Sequence, residues 1–181
     1  MPHLPSLPDN ATLLDLFKAY PAASKALLAY HEVLMRGDSP LTVAERELIA
    51  AYVSGLNACR YCHSVHTATA EAFGVPEGLL ADLLEDPDGA AVEARLRPLL
   101  AYVAKLTQAP ARVAAADADA VLAAGWDERA LHDAVSVCAL FNLMNRLVEG
   151  AGLAGSAAYF DAAAKRLSSE GYAALAERLG L

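Results

Sequence analysis

Few apolar runs in this sequence alternate with a period of two residues, which is the pattern of a half-buried β-strand. Hydrophobic residues make up 56% of the chain. Many of them are alanine, which favours closely packed helices. A length of 181 residues fits one domain with a substantial core. We therefore predict an all-α fold in a single domain over residues 1–181, with a proline-rich, extended lead-in over residues 1–9.

Capping residues and helix-terminating residues divide the chain into predicted helices. Asn10 is a candidate cap for the first helix. Thr42 and Glu45 form a T-x-x-E capping box, and Gly55 with Asn57 permits a tight turn after the helix that this box begins. The predicted helices cover about 11–19, 21–37, 42–56, 58–74, 75–86, 97–108, 116–124 and 128–150, with two amphipathic helices within 156–180.

The net charge and the hydropathy pattern of the chain argue against several classes of partner. A formal net charge of −8 and a pI near 5.0 argue against nucleic-acid binding, which needs a basic face for phosphates. No apolar run reaches the roughly 18–20 residues that cross a bilayer, and the N-terminal residues lack the basic start and apolar core of a signal peptide. We therefore expect a cytoplasmic protein with no nucleic-acid or membrane partner. Three cysteines in such a chain do not form a disulfide scaffold.

Reactive side chains are concentrated within residues 45–74. Cys59 and Cys62 form a C-x-x-C pair. His66 follows Cys62 by four residues, and Glu47 precedes Cys59 by twelve. A helix that begins near Cys59 has both sulfurs in its first turn, where free backbone N–H groups and the helix dipole favour a thiolate. A C-x-x-C pair in a cytoplasmic chain is typical of redox activity or metal binding.

Helical spacing predicts partners for the two cysteines. His63 lies four residues after Cys59, as His66 does after Cys62, so each cysteine shares a helix face with a histidine. In an antiparallel hairpin with a tight turn, Glu47 and His66 lie at similar heights on neighbouring helices. We therefore predict that Glu47 orients His66 or carries its proton, and that His66 acts as the base for Cys62 or relays its proton. A carboxyl group buried between two helices should have a raised pKa.

Two other chemistries fit part of the same motif. Cys59, Cys62 and His63 match C-x-x-C-H, the attachment motif of c-type haem, but that chemistry requires an exported chain. Zinc bound by Cys59, Cys62, His66 and a fourth ligand fits the ligand preference of the ion. A structural zinc site usually draws its other ligands from a second C-x-x-C or H-x₃₋₅-H pair, and this sequence has neither. A non-enzymatic redox sensor or a zinc-binding interaction protein is the alternative interpretation.

The spacing E-x₁₁-C-x-x-C-x-x-x-H, formed by Glu47, Cys59, Cys62 and His66, resembles the signature of the AhpD-like alkylhydroperoxidases. These enzymes belong to the carboxymuconolactone decarboxylase superfamily. The resemblance covers most of residues 12–170. It implies an all-α fold built on antiparallel helix hairpins, usually assembled as a homo-oligomer, a trimer or a hexamer.

Details of the motif resemble the peroxidase-related branch of the superfamily. Tyr61 gives the form C-x-Y-C, and an F-N-x-x-N-R stretch occupies residues 141–146. Better-studied members carry a histidine of the proton relay where this chain has Tyr61, and a tyrosine is a poor base near neutral pH. His63 is the residue expected to replace part of that role. Carboxymuconolactone decarboxylases proper lack the C-x-x-C pair, so decarboxylation is disfavoured, and an unknown small-molecule reaction is a third possibility.

The resemblance implies a role for each residue of the signature. Cys62 attacks a hydroperoxide and becomes a sulfenic acid, and Cys59 then resolves it as a Cys59–Cys62 disulfide. An external dithiol or a thiol protein reduces that disulfide. His66 and Glu47 form the proton relay. The resemblance implies no haem, metal or other cofactor.

Polar residues outside this segment are interpreted as structural. His31 is expected to be partly exposed on a helix surface. Cys138 is expected to fill space in the core. Asn142, Asn145 and Arg146 are expected to make hydrogen bonds at a helix end or interface. The alternative is that they line the cavity opposite Cys62, with Arg146 paired to an acidic group or to the substrate.

Overall fold

The computed structural model describes all 181 residues, which form nine α-helices and no β-strand. The predicted all-α fold is confirmed. The helices are α1 (Leu13–Ala19), α2 (Pro21–Arg36), α3 (Val43–Leu56), α4 (Arg60–Ala72), α5 (Leu79–Glu85), α6 (Leu96–Gln108), α7 (Ala115–Ala123), α8 (Glu128–Ala151) and α9 (Ala157–Leu179), with a 3₁₀ turn at Pro110–Arg112.

Helix α3 lies at the centre of the molecule. Every residue from Glu45 to Ser54 is buried, including the charged ones. Helices α4, α5, α6 and α8 pack around it, and α9 covers α2 and α4 from the outside. Because α3 is enclosed on all sides, any charged group on it must find its partner inside the protein.

The α3–α4 hairpin is the most extensive helix contact in the fold. The predicted capping box is confirmed at its start, where Thr42 N–H donates to Glu45 Oε2 at 2.7 Å and Glu45 N–H donates to Thr42 Oγ1 at 3.2 Å. The connecting turn contains Ala58 in the left-handed region, with φ of 54°. This conformation is uncommon for a residue with a Cβ. The turn lets the chain reverse within three residues and start α4 directly after Cys59.

The N-terminal segment packs on the body of its own chain. His3 N–H donates to Ala151 O at 2.9 Å, and Leu7 is buried. The lead-in is not fully extended, because its backbone forms turns. Thr12, and not Asn10, precedes α1 as its cap, with the Asp15 carboxylate accepting from Thr12 N–H at 2.8 Å.

The last helix consists of two segments, as predicted for residues 156–180. Gly171 interrupts α9 with φ of 73° and ψ of −166°. The Glu32 carboxylate accepts from Tyr172 N–H at 2.7 Å and from Ala173 N–H at 2.9 Å, so it caps the second segment. This contact fixes the second segment of α9 to α2. None of the nine helices combines the length and apolar character needed to cross a bilayer.

Candidate active site

The two cysteines of the C-x-x-C pair lie at the beginning of α4. Cys59 is the residue that precedes the helix, and Cys62 is in its first turn. Both are free thiols, with exposed fractions of 0% for Cys59 and 4% for Cys62. The first turn of α4 also has backbone N–H groups without helical acceptors, which favour negative charge on a nearby sulfur.

Glu47 is the charged centre of the site. Its side chain is fully buried, with Oε2 at 2.7 Å from His66 Nδ1 and Oε1 at 2.7 Å from the guanidinium of Arg36. Burial alone raises the pKa of Glu47, but the hydrogen bonds and charges of His66 and Arg36 outweigh burial and lower it. The predicted Glu47–His66 juxtaposition is therefore present, whereas the expected raised pKa is wrong.

The pairing with Glu47 fixes the orientation of His66. An ionised carboxylate accepts from Nδ1–H, so Nε2 of a neutral His66 is free to accept a proton. Phe141 packs against the imidazole edge-on, with ring centroids 4.4 Å apart. His66 thus has one ring nitrogen held by a buried charge and the other available for chemistry.

The environments of the two sulfurs shift their pKa values in opposite directions. Hydrogen bonding from Cys59 is the main cause of a lowered pKa at Cys62, and the Asn145 side chain lowers it further, against the opposing effects of burial and Glu149. The same interaction with Cys62, together with burial, raises the pKa of Cys59. Cys62 is therefore the thiol that ionises first.

The side-chain amides of Asn142 and Asn145 on α8 form a hydrogen-bond network with Asn57 and Ser54 at the end of α3. Asn145 Nδ2 donates to Ser54 Oγ at 3.0 Å, and Asn57 Nδ2 donates to Asn145 Oδ1 at 2.9 Å and to Asn142 Oδ1 at 3.1 Å. Arg146 donates to Asn142 O at 2.7 Å and pairs with no acidic group. The hydrogen-bonding interpretation of these residues is correct, and the Asn145 side chain also lowers the pKa of Cys62.

Replacement of Asn145 by alanine is expected to raise the pKa of Cys62, because it removes a donor that stabilises the thiolate. Alkylation of Cys62 by iodoacetamide at neutral pH should slow about fivefold, the factor that corresponds to a hydrogen bond of about 1 kcal/mol. The measurement is the rate of Cys62 modification against pH by peptide mass spectrometry. Asn142→Ala is the matched control, and an equal effect in both variants would contradict a specific role for Asn145.

A cavity of about 70 Å³ opens beside Cys62 and His66. Its walls come from α1, α2, α4, α8 and α9 and are mostly hydrophobic. Polar residues from distant parts of the chain, among them His31 and Tyr172, also line it. Cys62 and His66 therefore line the same largely apolar space.

The comparisons with known proteins identify the family. The model of the carboxymuconolactone decarboxylase family matches residues 21–105, which include the whole signature. An uncharacterized peroxidase-related protein from Silicibacter sp. TM1040 is 30% identical, with a TM-score of 0.76 over 82% of this chain and 78% of that one. The chain belongs to the AhpD-like, peroxidase-related branch of the carboxymuconolactone decarboxylase superfamily.

Two further solved structures share this AhpD-like fold. A peroxidase-related protein from Ralstonia eutropha JMP134, described as an alkylhydroperoxidase AhpD core, is 27% identical, with a TM-score of 0.75 over 81% of this chain and 77% of that one. A protein of unknown function from Agrobacterium tumefaciens is 19% identical, with a TM-score of 0.70 over 81% of this chain and 99% of that one, and it supports the fold alone. No curated protein sequence gave a significant match.

The position where better-studied AhpD-like proteins have a histidine is occupied by a tyrosine with fixed hydrogen bonds. Tyr61 accepts from Leu13 N–H at 3.1 Å and donates to Tyr159 Oη at 2.6 Å. His63 does not replace the missing base, because it lies outside the cavity and its Nδ1–H donates to Ala51 O at 2.9 Å. In this AhpD-like chain, Tyr61 therefore joins α1 and α9 to α4.

His31 is a cavity residue that the sequence interpretation missed. It is 3% exposed, and not partly exposed on a helix surface as expected. Its Nδ1 lies 2.8 Å from Leu27 O, and its ring packs on Tyr172 with centroids 5.0 Å apart. Burial lowers its pKa to about 4, so the imidazole is neutral at physiological pH. Its position four residues after Leu27 and three after Leu28 was the only sequence signal for burial.

The structure also describes the surroundings of the remaining cysteine and of the candidate zinc ligands. Cys138 is fully buried, with its sulfur 3.3 Å from Thr107 Oγ1, and burial raises its pKa. The predicted core position of Cys138 is therefore confirmed. No three His, Cys, Asp or Glu side chains converge in the way that metal ligands do. A zinc site at the C-x-x-C pair therefore lacks the third and fourth ligands of a structural site.

Proposed function

We propose that this AhpD-like chain is a thiol-dependent peroxidase that reduces hydroperoxides through Cys62 and Cys59. One observation carries the proposal: the cysteine with the lowered pKa lines a cavity beside His66, whose other ring nitrogen is held by buried Glu47. A nucleophile, a base and a group that orients the base are the components of covalent catalysis. The family and the peroxidase-related structural neighbours support the same assignment.

The first half of the cycle oxidises Cys62. The Cys62 thiol gives its proton to His66 Nε2, and the thiolate attacks the terminal oxygen of the hydroperoxide. The S–O bond forms as the O–O bond breaks, and the departing alkoxide takes the proton back from His66 as an alcohol. Cys62 is left as a sulfenic acid. Glu47 stabilises the transient imidazolium of His66 because the carboxylate stays ionised.

The second half of the cycle restores the thiols. The Cys59 sulfur attacks the Cys62 sulfur, so the S–S bond forms, the S–O bond breaks and water leaves with the Cys59 proton. An external dithiol, free or on a protein, then reduces the Cys59–Cys62 disulfide by exchange and becomes a disulfide itself. The raised pKa of Cys59 keeps it protonated until Cys62 is oxidised, so the two cysteines act in order. We further propose that the protein works in the cytoplasm as a homo-oligomer.

The decisive experiment oxidises the reduced protein with a small excess of cumene hydroperoxide and follows intact mass and turnover with dithiothreitol. Wild-type protein should lose two hydrogens as the disulfide forms and should turn over. Cys59→Ser should retain a sulfenic acid on Cys62, detectable with dimedone. Cys62→Ser should lose about a thousandfold or more of the activity. Cys138→Ser is the matched control and should behave as wild type, because Cys138 lies outside the cavity.

Two outcomes would replace this proposal. Oxidation of Cys62 without turnover by any dithiol would favour a redox sensor, which uses the same sulfur chemistry once per signal. Near-stoichiometric zinc in protein purified under reducing conditions would favour the metal-binding alternative. An unchanged mass of wild-type protein after peroxide treatment would exclude both redox functions.

A further inference from the structure

Tyr172 carries a buried hydroxyl that the fold leaves without a partner. The residue is 4% exposed and lines the cavity beside Cys62. Its Oη makes no hydrogen bond, whereas the hydroxyls of Tyr61 and Tyr159 bond to each other at 2.6 Å. A buried hydroxyl without a hydrogen-bond partner is unfavourable for folding. A functional role would account for its presence in the cavity that Cys62 also lines.

The surroundings of Tyr172 hold its ring in one position. The ring packs on the His31 imidazole, with ring centroids 5.0 Å apart. The Arg36 guanidinium makes a cation–π contact with the same ring, 5.1 Å from its centroid. The backbone N–H of Tyr172 is bound to Glu32, immediately after the break at Gly171. The phenol is thus fixed by contacts from α2 on both its ring and its backbone.

The electrostatic environment keeps this phenol a donor. Burial and the charge of Glu47 raise the pKa of Tyr172 well above the usual value for tyrosine, so it carries its proton at any physiological pH. His31 is neutral, with Nδ1–H donating to Leu27 O, and its ring presents no competing positive charge to the cavity. The Tyr172 Oη–H is therefore a cavity donor whose oxygen has no hydrogen-bond partner, whereas Tyr61 donates to Tyr159 and Tyr159 Oη is occupied as the acceptor.

The proposed peroxidase step creates a need for such a donor. When the Cys62 thiolate attacks the terminal oxygen and the O–O bond breaks, negative charge develops on the other oxygen, which leaves as an alkoxide. In an apolar cavity, a donor aimed at that oxygen stabilises the transition state more than the ground state.

We propose that Tyr172 donates a hydrogen bond through Oη–H to the departing oxygen of the hydroperoxide, and is a catalytic residue of the second segment of α9. The inference rests on the peroxidase function proposed above. His66 supplies the proton that completes the alcohol, and Tyr172 keeps its own proton throughout. The step therefore balances as thiol plus hydroperoxide giving sulfenic acid plus alcohol.

The test compares Tyr172→Phe with wild type for two oxidants that differ in the leaving group. With tert-butyl hydroperoxide, which must expel a basic alkoxide, the rate constant of Cys62 oxidation should fall about 100-fold. With peracetic acid, which expels a stable carboxylate, the rate constant should fall less than about threefold, since a weakly basic oxygen needs little stabilisation. Stopped-flow measurement on Cys59→Ser protein isolates this single step.

Two controls separate a catalytic role from a structural one. Alkylation of Cys62 by iodoacetamide involves no departing oxygen, so its rate in Tyr172→Phe should stay within about twofold of wild type. Tyr159→Phe removes a cavity hydroxyl that is already bonded to Tyr61, and it should retain most of the activity with tert-butyl hydroperoxide.

The possible failures are distinguishable. Equal losses with tert-butyl hydroperoxide and peracetic acid, or an equal loss in alkylation, would overturn the inference, because they indicate a disturbed Cys62. An unchanged rate with tert-butyl hydroperoxide in Tyr172→Phe would also overturn it while leaving the peroxidase function intact. Wild-type protein that neither oxidant oxidises would overturn the proposed function and this inference together.

Discussion

Replacement of Glu47 by alanine should lower the free energy of unfolding by about 3–5 kcal/mol, the usual effect of removing one member of a buried ion pair. The Glu47 side chain is 0% exposed and the Arg36 side chain 13%, so the variant leaves a guanidinium nearly buried without a counter-charge. His66 loses its hydrogen-bond acceptor at the same time. Urea unfolding at neutral pH, with a check that the m-value is unchanged, measures the difference.

Two further variants test the physical reason for this loss. Glu47→Gln keeps the size and an acceptor for His66 but removes the charge, so it should lose less, about 1–3 kcal/mol. Glu177→Ala removes an exposed carboxylate without an ion pair and should change stability by less than about 0.5 kcal/mol. If Glu47→Ala stayed within about 1 kcal/mol of wild type, the buried ion pair would contribute little and its place at the centre of the site would need another explanation.

The contribution of Glu47 also has a defined pH window. Its pKa in the folded protein lies below the ordinary value of 4.5. The unfolded chain therefore binds a proton at a pH where the folded chain does not, and the stabilisation is present above the unfolded pKa. It is lost as the pH falls through the folded pKa.

Much of the site follows from local sequence because it is built on one hairpin. The capping box at Thr42 and Glu45 determines where α3 begins, and the turn before Cys59 determines where α4 begins. A constant rise per residue then brings Glu47 and His66 to the same height, and the structure places their side chains 2.7 Å apart. Spacing predicted this contact because both residues belong to regular helices joined by a short turn.

Residues that reach the site from other helices could not be predicted in this way. Arg36, His31 and Tyr172 come from α2 and α9, and their positions depend on how these helices cross α4. Burial raises the pKa of Glu47, but His66 and then Arg36 lower it by more, so an expectation based on burial alone had the wrong direction. His31 is enclosed by Tyr172, a residue 141 positions later in the chain, and helical periodicity carries no information on that contact.

The burial of His31 leads to the second large effect, a loss of stability in mild acid. The pKa of His31 is about 4 in the folded protein against 6.5 for an ordinary histidine, with burial as the main cause. As the pH falls below 6.5, the unfolded chain takes up a proton that the folded chain refuses, so unfolding becomes easier. The difference between these two pKa values corresponds to about 3 kcal/mol, lost progressively between pH 6.5 and pH 4.

His31→Phe should remove this part of the pH dependence, because phenylalanine keeps a ring against Tyr172 and cannot bind a proton. The measurement is the free energy of unfolding in urea at several pH values from 7 to 4, and the quantity of interest is the slope and not the absolute stability. The carboxyl groups of the chain titrate in the same pH range in both proteins. Their contribution to the slope therefore cancels when the two proteins are compared. Val33 lies on the same helix and is 70% exposed, so Val33→Phe controls for the added phenylalanine and should keep the wild-type slope. Equal slopes for wild type and His31→Phe would mean that protonated His31 is accommodated in the folded state, which requires α9 to open away from α2.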